Sequence, residues 1–312
     1  MKTTSRAVGP TATEPVIDPA KVATPDVARA DMVRLTGSGY TPVRHEFVQK
    51  HDGKTRASTL ARLCSGRKKR ALVLYLTLLT LWRPDLRPMR STVWLRLVTV
   101  AGGNLTWSSS SLSETWTTLV DLGLAERRRV TRMAHVLPRR EDAQAEYTRP
   151  TGHTKSDRYF VLPGEFWTGR WFDTLSLPAI CMLLIILKET NDNESEFHIT
   201  HEQVEEWYGI SASSAAKGLN ELEDVGLVSV RRVQVPAGLS AQGYTFHHYY
   251  SLTGAFSTSD RKKARATAAK AVTSRVKAAA KRSPAKRAGT STSNRATKAT
   301  TIKSASSGAR PR

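Results

Sequence analysis

The sequence predicts a mainly α-helical protein with small β hairpins, made of two tandem modules between disordered basic ends. Three observations lead to this fold class. An order of three helices followed by two strands occurs twice between residues 66 and 256. The net charge changes sign along the chain, which distinguishes the modules from each other and from the ends. Both ends lack the large apolar residues that a folded core requires.

The two ends are predicted to be disordered. Residues 1–30 are spaced by Pro and Thr without a periodic apolar pattern, and we expect a disordered leader there. Residues 31–65 contain few large apolar residues, so we expect only partial order and assign them no role. Residues 257–312 are rich in Lys and Ala and too poor in apolar side chains to offset the entropy of ordering, which indicates a disordered basic tail.

Charge is the main guide to the partner. The chain has 48 Lys and Arg residues against 27 Asp and Glu, a formal net charge of +21. Residues 1–162 carry a net +13, residues 163–256 a net −7 and residues 257–312 a net +15. Such an excess favours a nucleic acid or another anionic surface as the partner. The tail resembles in composition the tails of linker histones and some bacterial nucleoid proteins, which implies sequence-independent DNA binding; a purely solubilising tail is the alternative.

Several classes of protein are excluded. Cys64 and Cys181 lie far apart in the sequence, which rules out a disulfide scaffold and a cysteine-based zinc site and suggests a reducing compartment. No apolar segment follows Met1, so we expect no signal peptide. The longest apolar run, residues 177–187, is too short to span a bilayer. We therefore expect a cytoplasmic protein without a membrane partner.

Each module opens with two helices. The first, basic module covers residues 66–162 and the second, acidic module covers residues 163–256. Leucine-rich helices are predicted over 71–79 in the first module and 179–187 in the second. The predicted second helices, both short, are 91–100 and 200–208.

The third helix of each module carries the clearest repeat. Residues 108–112 align with 211–215 at a constant offset of 103, and the Asp-x-Gly-Leu stretch at 121–124 aligns with 224–227. Each helix is predicted to end at the glycine, which suits a helix C-terminus. The predicted strands that follow are 125–136 and 159–164 in the first module, and 228–235 and 249–254 in the second.

The order of three helices and two strands is that of a winged helix-turn-helix. Residues 208–228 read YGISASSAAKGLNELEDVGLV and resemble the recognition-helix stretch of bacterial winged-helix proteins. Tandem winged helices with a basic extension are similar to plasmid replication initiators, and single-copy relatives are mostly transcription regulators. The resemblance covers both modules. It implies a mainly α fold with small β wings, in which two tandem winged-helix domains lie between disordered basic tails.

The resemblance also implies a function. We expect a non-enzymatic protein that binds duplex DNA, as a replication initiator of a mobile element or as a transcription regulator. We also expect it to associate with the nucleoid, and a homodimer is a candidate assembly. The alternative is a nucleoid-type architectural protein that binds DNA mainly through its basic tail.

The candidate DNA-binding residues lie on the third helices and on the strands after them. In the second module the outward positions are Ser213, Ser214, Ala216, Lys217 and Asn220, since Ala215, Leu219 and Leu222 have the inward spacing. Ser and Lys suit phosphate oxygens, and Asn can contact adenine. The outward positions of the first module are Ser110, Ser111, Ser113, Glu114 and Thr117. The wing arginines are Arg127, Arg128, Arg129 and Arg132 in the first module, and Arg231 and Arg232 in the second.

Helix pattern and charge favour different modules as the DNA reader. The second module has the better helix signature but a net charge of −7, with Glu202, Glu205 and Glu206 on its second helix. The first module lies beside the basic run 67–70, which favours it for phosphate anchoring. If the first module anchors the phosphates, we expect the second module to read bases weakly, or to mediate dimerisation or binding of a protein partner. Helix caps, solvated helix faces and a solvated strand edge are the alternative explanation for these same residues.

No enzymatic motif is present. The sequence has no phosphate-binding Walker loop and no Gly-x-Ser-x-Gly elbow. A nicking enzyme would pair metal-binding histidines with a tyrosine, but His247 and His248 are adjacent, so on a strand they point to opposite faces. We expect no catalytic residue, no cofactor and no metal.

Overall fold

The computed structural model describes Asp18 and residues 21–50, 58–130, 133–191 and 194–282. Across these described residues the protein is mainly helical, with three small antiparallel sheets. This confirms the expected combination of helices with small β elements. The described residues divide into two compact units, one that ends at Lys270 and one that begins at Ala271. Within the described ranges no helix is both long and apolar enough to cross a bilayer.

The N-terminal region contributes folded elements to the first compact unit. These elements are α1 (Pro25–Leu35), β1 (Tyr40–Arg44), α2 (His45–Val48) and α3 (Thr59–Ser65). The expectation of a disordered leader over residues 1–30 is therefore wrong from Pro25 onward; of the preceding residues, the structure describes only Asp18 and 21–24. Thr24 caps the helix by accepting from the Val27 backbone N–H. Arg29 is buried and donates to the carbonyl oxygens of Leu97 and Thr99, which holds α1 on the rest of the unit.

Three helices and a hairpin follow. They are α4 (Lys69–Leu81), α5 (Ser91–Val98), α6 (Ser109–Asp121), β2 (Ala125–Val130) and β3 (Met133–Pro138). The helices lie where the sequence predicts them, but the single strand predicted over 125–136 is wrong. β2 and β3 pair antiparallel from Ala125 opposite Pro138 to Val130 opposite Met133. The hairpin of this module is therefore complete within 125–138.

The expected closing strand of the first module belongs to another sheet. β4 (Tyr159–Pro163) pairs antiparallel with β1, with Val43 opposite Phe160. The prediction that it closes the hairpin after α6 is therefore wrong. Arg44 at the end of β1 donates to buried Glu141 at 2.8 Å and to Asp157 at 2.9 Å, so the chain between the hairpin and β4 is held on the N-terminal region.

The second half repeats the order of elements. It contains α7 (Glu165–Thr168), α8 (Trp171–Thr174), α9 (Leu177–Glu189), β5 (Glu196–His198), α10 (His201–Tyr208), α11 (Ala212–Asp224), β6 (Val228–Pro236) and β7 (Tyr244–Leu252). Here the two strands after the third helix do pair with each other, and β5 adds to the outer edge of β7. Thr200 and Gln203 cap α10 reciprocally.

The third helices α6 and α11 end in the same geometry. Gly123 and Gly226 both have φ of 73°, a left-handed conformation that glycine adopts without strain. The N–H of Leu124 donates to Leu119 O at 2.8 Å, and that of Leu227 to Leu222 O at 2.9 Å. This shared helix termination agrees with the sequence repeat.

The two halves share one hydrophobic core. The side chains of α4 and α9 are almost entirely buried and belong to a single cluster that includes residues of both halves. Phe166, Trp167 and Phe172, between the halves, are also fully buried in it. The halves therefore pack as one body.

The C-terminal segment begins as a helix. α12 (Thr258–Arg282) occupies part of the segment 257–312 for which we expect disorder, and that expectation is wrong as far as residue 282. Arg261 is buried and donates to Leu187 O at 3.2 Å and Thr190 O at 2.9 Å, which satisfies carbonyl groups at the end of α9. Lys, Arg and Ala are strong helix formers, so once the segment is attached its composition favours a helix. Residues 283–312 lie outside the described residues.

Candidate nucleic-acid interface

The exposed face of α6 is formed by small polar residues. Leu112, Thr115, Trp116 and Leu119 point into the core, and Trp94 packs edge-on against Trp116 with ring centroids 5.0 Å apart. The predicted outward residues Ser110, Ser113 and Thr117 are exposed, together with Glu114, and Ser111 is half-buried. The internal Leu and Trp stripe therefore fixes which face of α6 is presented.

Some of these hydroxyl groups already have partners within the helix. Ser111 Oγ accepts from the Ser108 N–H at 2.8 Å, and Ser108 Oγ accepts from the Ser111 N–H at 3.1 Å. Thr117 donates to Ser113 O at 3.2 Å, and the hydroxyls of Ser108 and Ser110 lie 2.8 Å apart. Ser108 is thus the helix cap and Ser111 its reciprocal partner, which is the alternative explanation for these serines.

A groove, which we call the hairpin groove, lies on one side of α6. It has a volume of about 410 Å³ and lies between the start of α5, the N-terminal half of α6 and the β2–β3 hairpin. Leu112 and Trp116 line it together with Ser113, while Arg90 and Arg127 contribute positive charge. The hairpin groove is therefore lined by both apolar and positively charged side chains.

A second groove, which we call the basic-run groove, lies on the other side of α6. Residues 67–70 line it together with Ser111, Glu114, Thr115 and Thr118, and its volume is about 380 Å³. Two of the four cations have structural roles. Lys69 donates to Asp173 O at 2.7 Å, with its pKa lowered by burial, and Arg70 donates to Thr106 O at 3.1 Å.

Four other cations near α6 lack an acidic partner among the residues that the structure describes. Among the described residues, Arg67 and Lys68 form no ion pair, and neither do Arg127 and Arg129 on β2. Arg128 differs, since it pairs with Glu126 at 2.6 Å. The three hairpin arginines also line a recess of about 400 Å³. Arg132, the fourth predicted wing arginine, lies outside the described residues.

The corresponding helix of the second half presents Lys217 and Asn220. Both are exposed, as is Ser213, while Ser214 is half-buried and its N–H donates to the capping Ser211 Oγ at 3.3 Å. The inward residues of α11 are Ala215, Gly218, Leu219 and Leu222.

The arginines of the second hairpin are neutralised. Arg231 donates to both carboxylate oxygens of Glu196, at 2.5 and 3.1 Å, and lies 4.4 Å from the centre of the Tyr249 ring. This hydrogen bonding lowers the pKa of Glu196 and raises that of Arg231. Arg232 pairs with Glu223 at 3.0 Å. Each predicted wing arginine of this half therefore carries its own counter-charge.

A carboxylate also lies at the N-terminus of α11. Glu205 Oε2 accepts from the Ala212 N–H at 2.9 Å, so an acidic side chain satisfies a backbone group that a phosphate oxygen would otherwise contact. The first half has no acidic residue in the first turn of α6. Sequence reasoning placed Glu205 on the second helix of the module but missed this cap, because the bond crosses the turn between two helices.

The hairpin groove is the main feature that sequence reasoning missed. Arg90 precedes α5 in a segment, 82–90, that contains three arginines, and this local charge was the available signal.

Among the described residues no three His, Cys, Asp or Glu side chains come together in a way that could hold a metal ion. Comparison of the chain with protein-family models, with curated proteins and with solved structures finds no match.

Proposed function

We propose that the protein binds duplex DNA through two winged-helix modules, and that the first module anchors the phosphate backbone. The observation that carries the proposal is the pair of grooves beside α6. Arg67 and Lys68 line the groove on one side of its exposed face and Arg127 lines the groove on the other, while Arg129 lies two residues farther along the same hairpin strand; none of the four forms an ion pair with a described residue. A helix presented between two sets of cations matches a duplex groove bordered by two phosphate strands.

Each part of the first module has a role in this proposal. The N-terminal half of α6 enters the major groove with Ser110, Ser113 and Thr117 facing the duplex. The β2–β3 hairpin is the wing, and its arginines contact the adjacent backbone. Phosphate attraction supplies most of the non-specific affinity, so free guanidinium groups contribute more than groups already paired with a carboxylate.

The second module contributes differently. Arg231 and Arg232 are paired and Glu205 lies at the start of α11, so we expect little phosphate anchoring from it. Lys217 and Asn220 remain available for base contacts, and dimerisation through this module is the second use consistent with its charge. We place the protein in the cytoplasm on the nucleoid, as a replication initiator of a mobile element or as a transcription regulator.

A matched pair of double variants tests the proposal. Arg127→Ala with Arg129→Ala is compared with Arg231→Ala with Arg232→Ala by fluorescence anisotropy on a short duplex at several salt concentrations. The first pair should weaken binding strongly and lower the log–log salt slope by about two units, one for each phosphate contact. The second pair should change the slope little. A larger loss from the second pair would assign anchoring to the second module, and no binding by the wild-type protein would refute the proposal.

Footprinting on DNA that flanks the gene separates the biological roles. Repeated short sites beside an AT-rich stretch would favour replication initiation, and protection over a promoter would favour transcription regulation. Uniform coating of the fragment would instead support the architectural alternative, in which the tail supplies the binding.

A further inference from the structure

The hairpin groove has the size and lining of a small-molecule site. Its volume of about 410 Å³ lies in the range of about 300–1,000 Å³ that such sites occupy. Trp94, Leu112 and Trp116 line it and are almost fully buried, and the two Trp rings pack edge-on against each other. Met89 and Met133 also line it and are half-buried. The groove thus joins a fixed apolar part to an adaptable part, since Met side chains adjust to the shape of what they contact.

The positive charge of the groove has no counter-charge within the described part of the chain. Arg90 and Arg127 line the groove, are exposed and form no ion pair with a described residue. None of the described residues that line the groove is acidic. Thr92 and Ser113 add exposed hydroxyl groups that form no hydrogen bond with a described residue. A molecule that complements this groove therefore combines an apolar body with a negative charge.

We propose that the hairpin groove binds a small organic carboxylate with an apolar body, and that the occupied groove excludes duplex DNA. The exclusion rests on the proposed function, whereas binding of the carboxylate does not. A guanidinium group binds a carboxylate through two parallel hydrogen bonds, and Arg90 and Arg127 each supply such a group. The apolar body is removed from water by the Trp and Met side chains of the groove. Both parts of the ligand are needed, because an uncharged molecule leaves the arginines unpaired and a small anion leaves the apolar lining in water.

The carboxylate and the duplex would use the same side chains. In the proposed DNA complex, Arg127 contacts a phosphate and Ser113 faces the duplex. A carboxylate bound to Arg127 neutralises this cation, and its apolar body occupies the space beside the exposed face of α6. Ligand and duplex therefore compete, and the groove makes the protein's affinity for DNA depend on the concentration of the carboxylate.

Isothermal titration calorimetry of the full chain without DNA tests the binding site. The probe is naphthoate, which joins an aromatic body to one carboxylate. Naphthamide has the same body without the charge, and acetate has the charge without the body. Naphthoate should bind about tenfold or more tightly than either of the other two, because it alone pairs the arginines and covers the apolar lining. Equal affinities for naphthoate and naphthamide, or no binding of naphthoate, would overturn the proposal.

Four variants locate the site. Arg90→Gln and Arg127→Gln should each weaken naphthoate binding about tenfold and leave naphthamide binding unchanged. Arg128→Gln is the matched control, since Arg128 lies on the same strand but is paired with Glu126, and it should stay within about twofold of the wild type. Thr92→Phe places an aromatic ring in the groove from an exposed position of α5 and should abolish naphthoate binding. Circular dichroism and the melting temperature verify that each variant is folded. Unchanged naphthoate affinity in both Arg90→Gln and Arg127→Gln would place the ligand elsewhere and overturn the proposal.

Fluorescence anisotropy on a short duplex tests the competition. Saturating naphthoate should raise the dissociation constant of the wild type for the duplex about tenfold or more, whereas acetate at the same concentration, which matches the ionic strength, should not. Thr92→Phe should bind the duplex equally well with and without naphthoate. A duplex affinity that saturating naphthoate leaves unchanged would overturn the proposal. Failure of the wild type to bind DNA without ligand would instead refute the proposed function, and the calorimetry would still decide whether the groove binds the carboxylate.

Discussion

Gly218 of α11 lies directly against the backbone of Pro178 at the start of α9. A Cβ atom on Gly218 would lie 2.5 Å from the Pro178 carbonyl oxygen and 2.7 Å from its carbonyl carbon. Both atoms belong to the backbone of a helix in the core, so they cannot move aside cheaply. The absent side chain thus lets the proposed recognition helix of the second module approach its supporting helix closely.

We expect Gly218→Ala to lower the free energy of unfolding by about 1–3 kcal/mol, because the added methyl group overpacks the contact. Urea denaturation followed by tryptophan fluorescence measures this change. Gly238→Ala is the matched control, since a Cβ there meets nothing within 4 Å, and it should stay within about 0.5 kcal/mol of the wild type. At an open helix position, Gly→Ala would instead raise the free energy of unfolding by about 1 kcal/mol. Such an increase for Gly218→Ala would contradict the close contact.

Asp157 should make stability depend on pH in the acid range. Burial raises its pKa, but hydrogen bonds from Thr151 and Arg44 outweigh this, and the net pKa is lowered. The stabilisation is therefore present above the ordinary carboxyl pKa of about 3.9 and is lost as the pH falls through the lower, folded value. The wild type should be more stable than Asp157→Asn at pH 7, and this difference should shrink below about pH 4.

Urea titrations at a series of pH values give the two curves for this comparison. Asp85→Asn serves as the control, because Asp85 is exposed and forms no ion pair with any described residue. A difference between wild type and Asp157→Asn that stays constant with pH would mean that the Asp157 charge does not stabilise the fold.

Glu114 is the acidic residue on the exposed face of α6, beside the basic-run groove. If that face lies against phosphates, Glu114→Gln should tighten DNA binding about fivefold, since one close like-charge interaction in water is worth about 1 kcal/mol. Asp121→Asn is the matched control, since Asp121 is exposed at the other end of the same helix. Anisotropy titrations on one duplex compare the three proteins. Equal affinities for the wild type and Glu114→Gln would place the phosphates elsewhere.

The C-terminal segment should separate into a structural part and a charged part. Residues 283–312 contain seven Lys and Arg residues and no acid. Ending the chain after Arg282 should therefore lower the salt slope of DNA binding by several units while leaving the melting temperature unchanged. An unchanged slope would show that the segment is not a DNA arm.

Ending the chain after Phe256 should, in contrast, destabilise the protein. This truncation removes Arg261 and leaves the Leu187 and Thr190 carbonyl groups without its hydrogen bonds, at a cost of about 1–3 kcal/mol. Arg261→Ala in the full chain should lower the melting temperature similarly, which thermal denaturation monitored by circular dichroism measures. A full-chain Arg261→Ala variant as stable as the wild type would contradict this role.

The helical part of the fold could be predicted because its signals are local. The offset of 103 between the third helices, the glycine at each helix end and the apolar runs of α4 and α9 all lie within short windows of sequence. Exposure on α6 and α11 followed from the spacing of the inward residues in the same way. These patterns depend on neighbouring residues along a helix, so one sequence suffices to find them.

The remaining elements depend on distant partners. β1 pairs with β4 and Arg29 bonds to Leu97 O, and nothing near residues 25–44 indicates either contact. The hairpin after α6 escaped detection because Thr131 and Arg132, between its strands, lack the Gly, Asn or Asp that marks a short hairpin turn. The pairing of Arg231 with Glu196 likewise joins residues 35 positions apart, so the total charge of the module did not show which arginines are free.

The pairing of β1 with β4 has a consequence for how the chain acquires its structure. Arg44 and Asp157, which are bonded beside this small sheet, are separated by 113 residues. Contacts between such distant residues form slowly, since the intervening chain must first be brought into a closed loop. We infer that α4, α5, α6 and the first hairpin assemble early during synthesis. β1 can pair with β4 only after residues 159–163 have emerged from the ribosome. Until then β1 lacks its strand partner, and the nascent protein depends on this late event to satisfy the backbone groups that pair with β4.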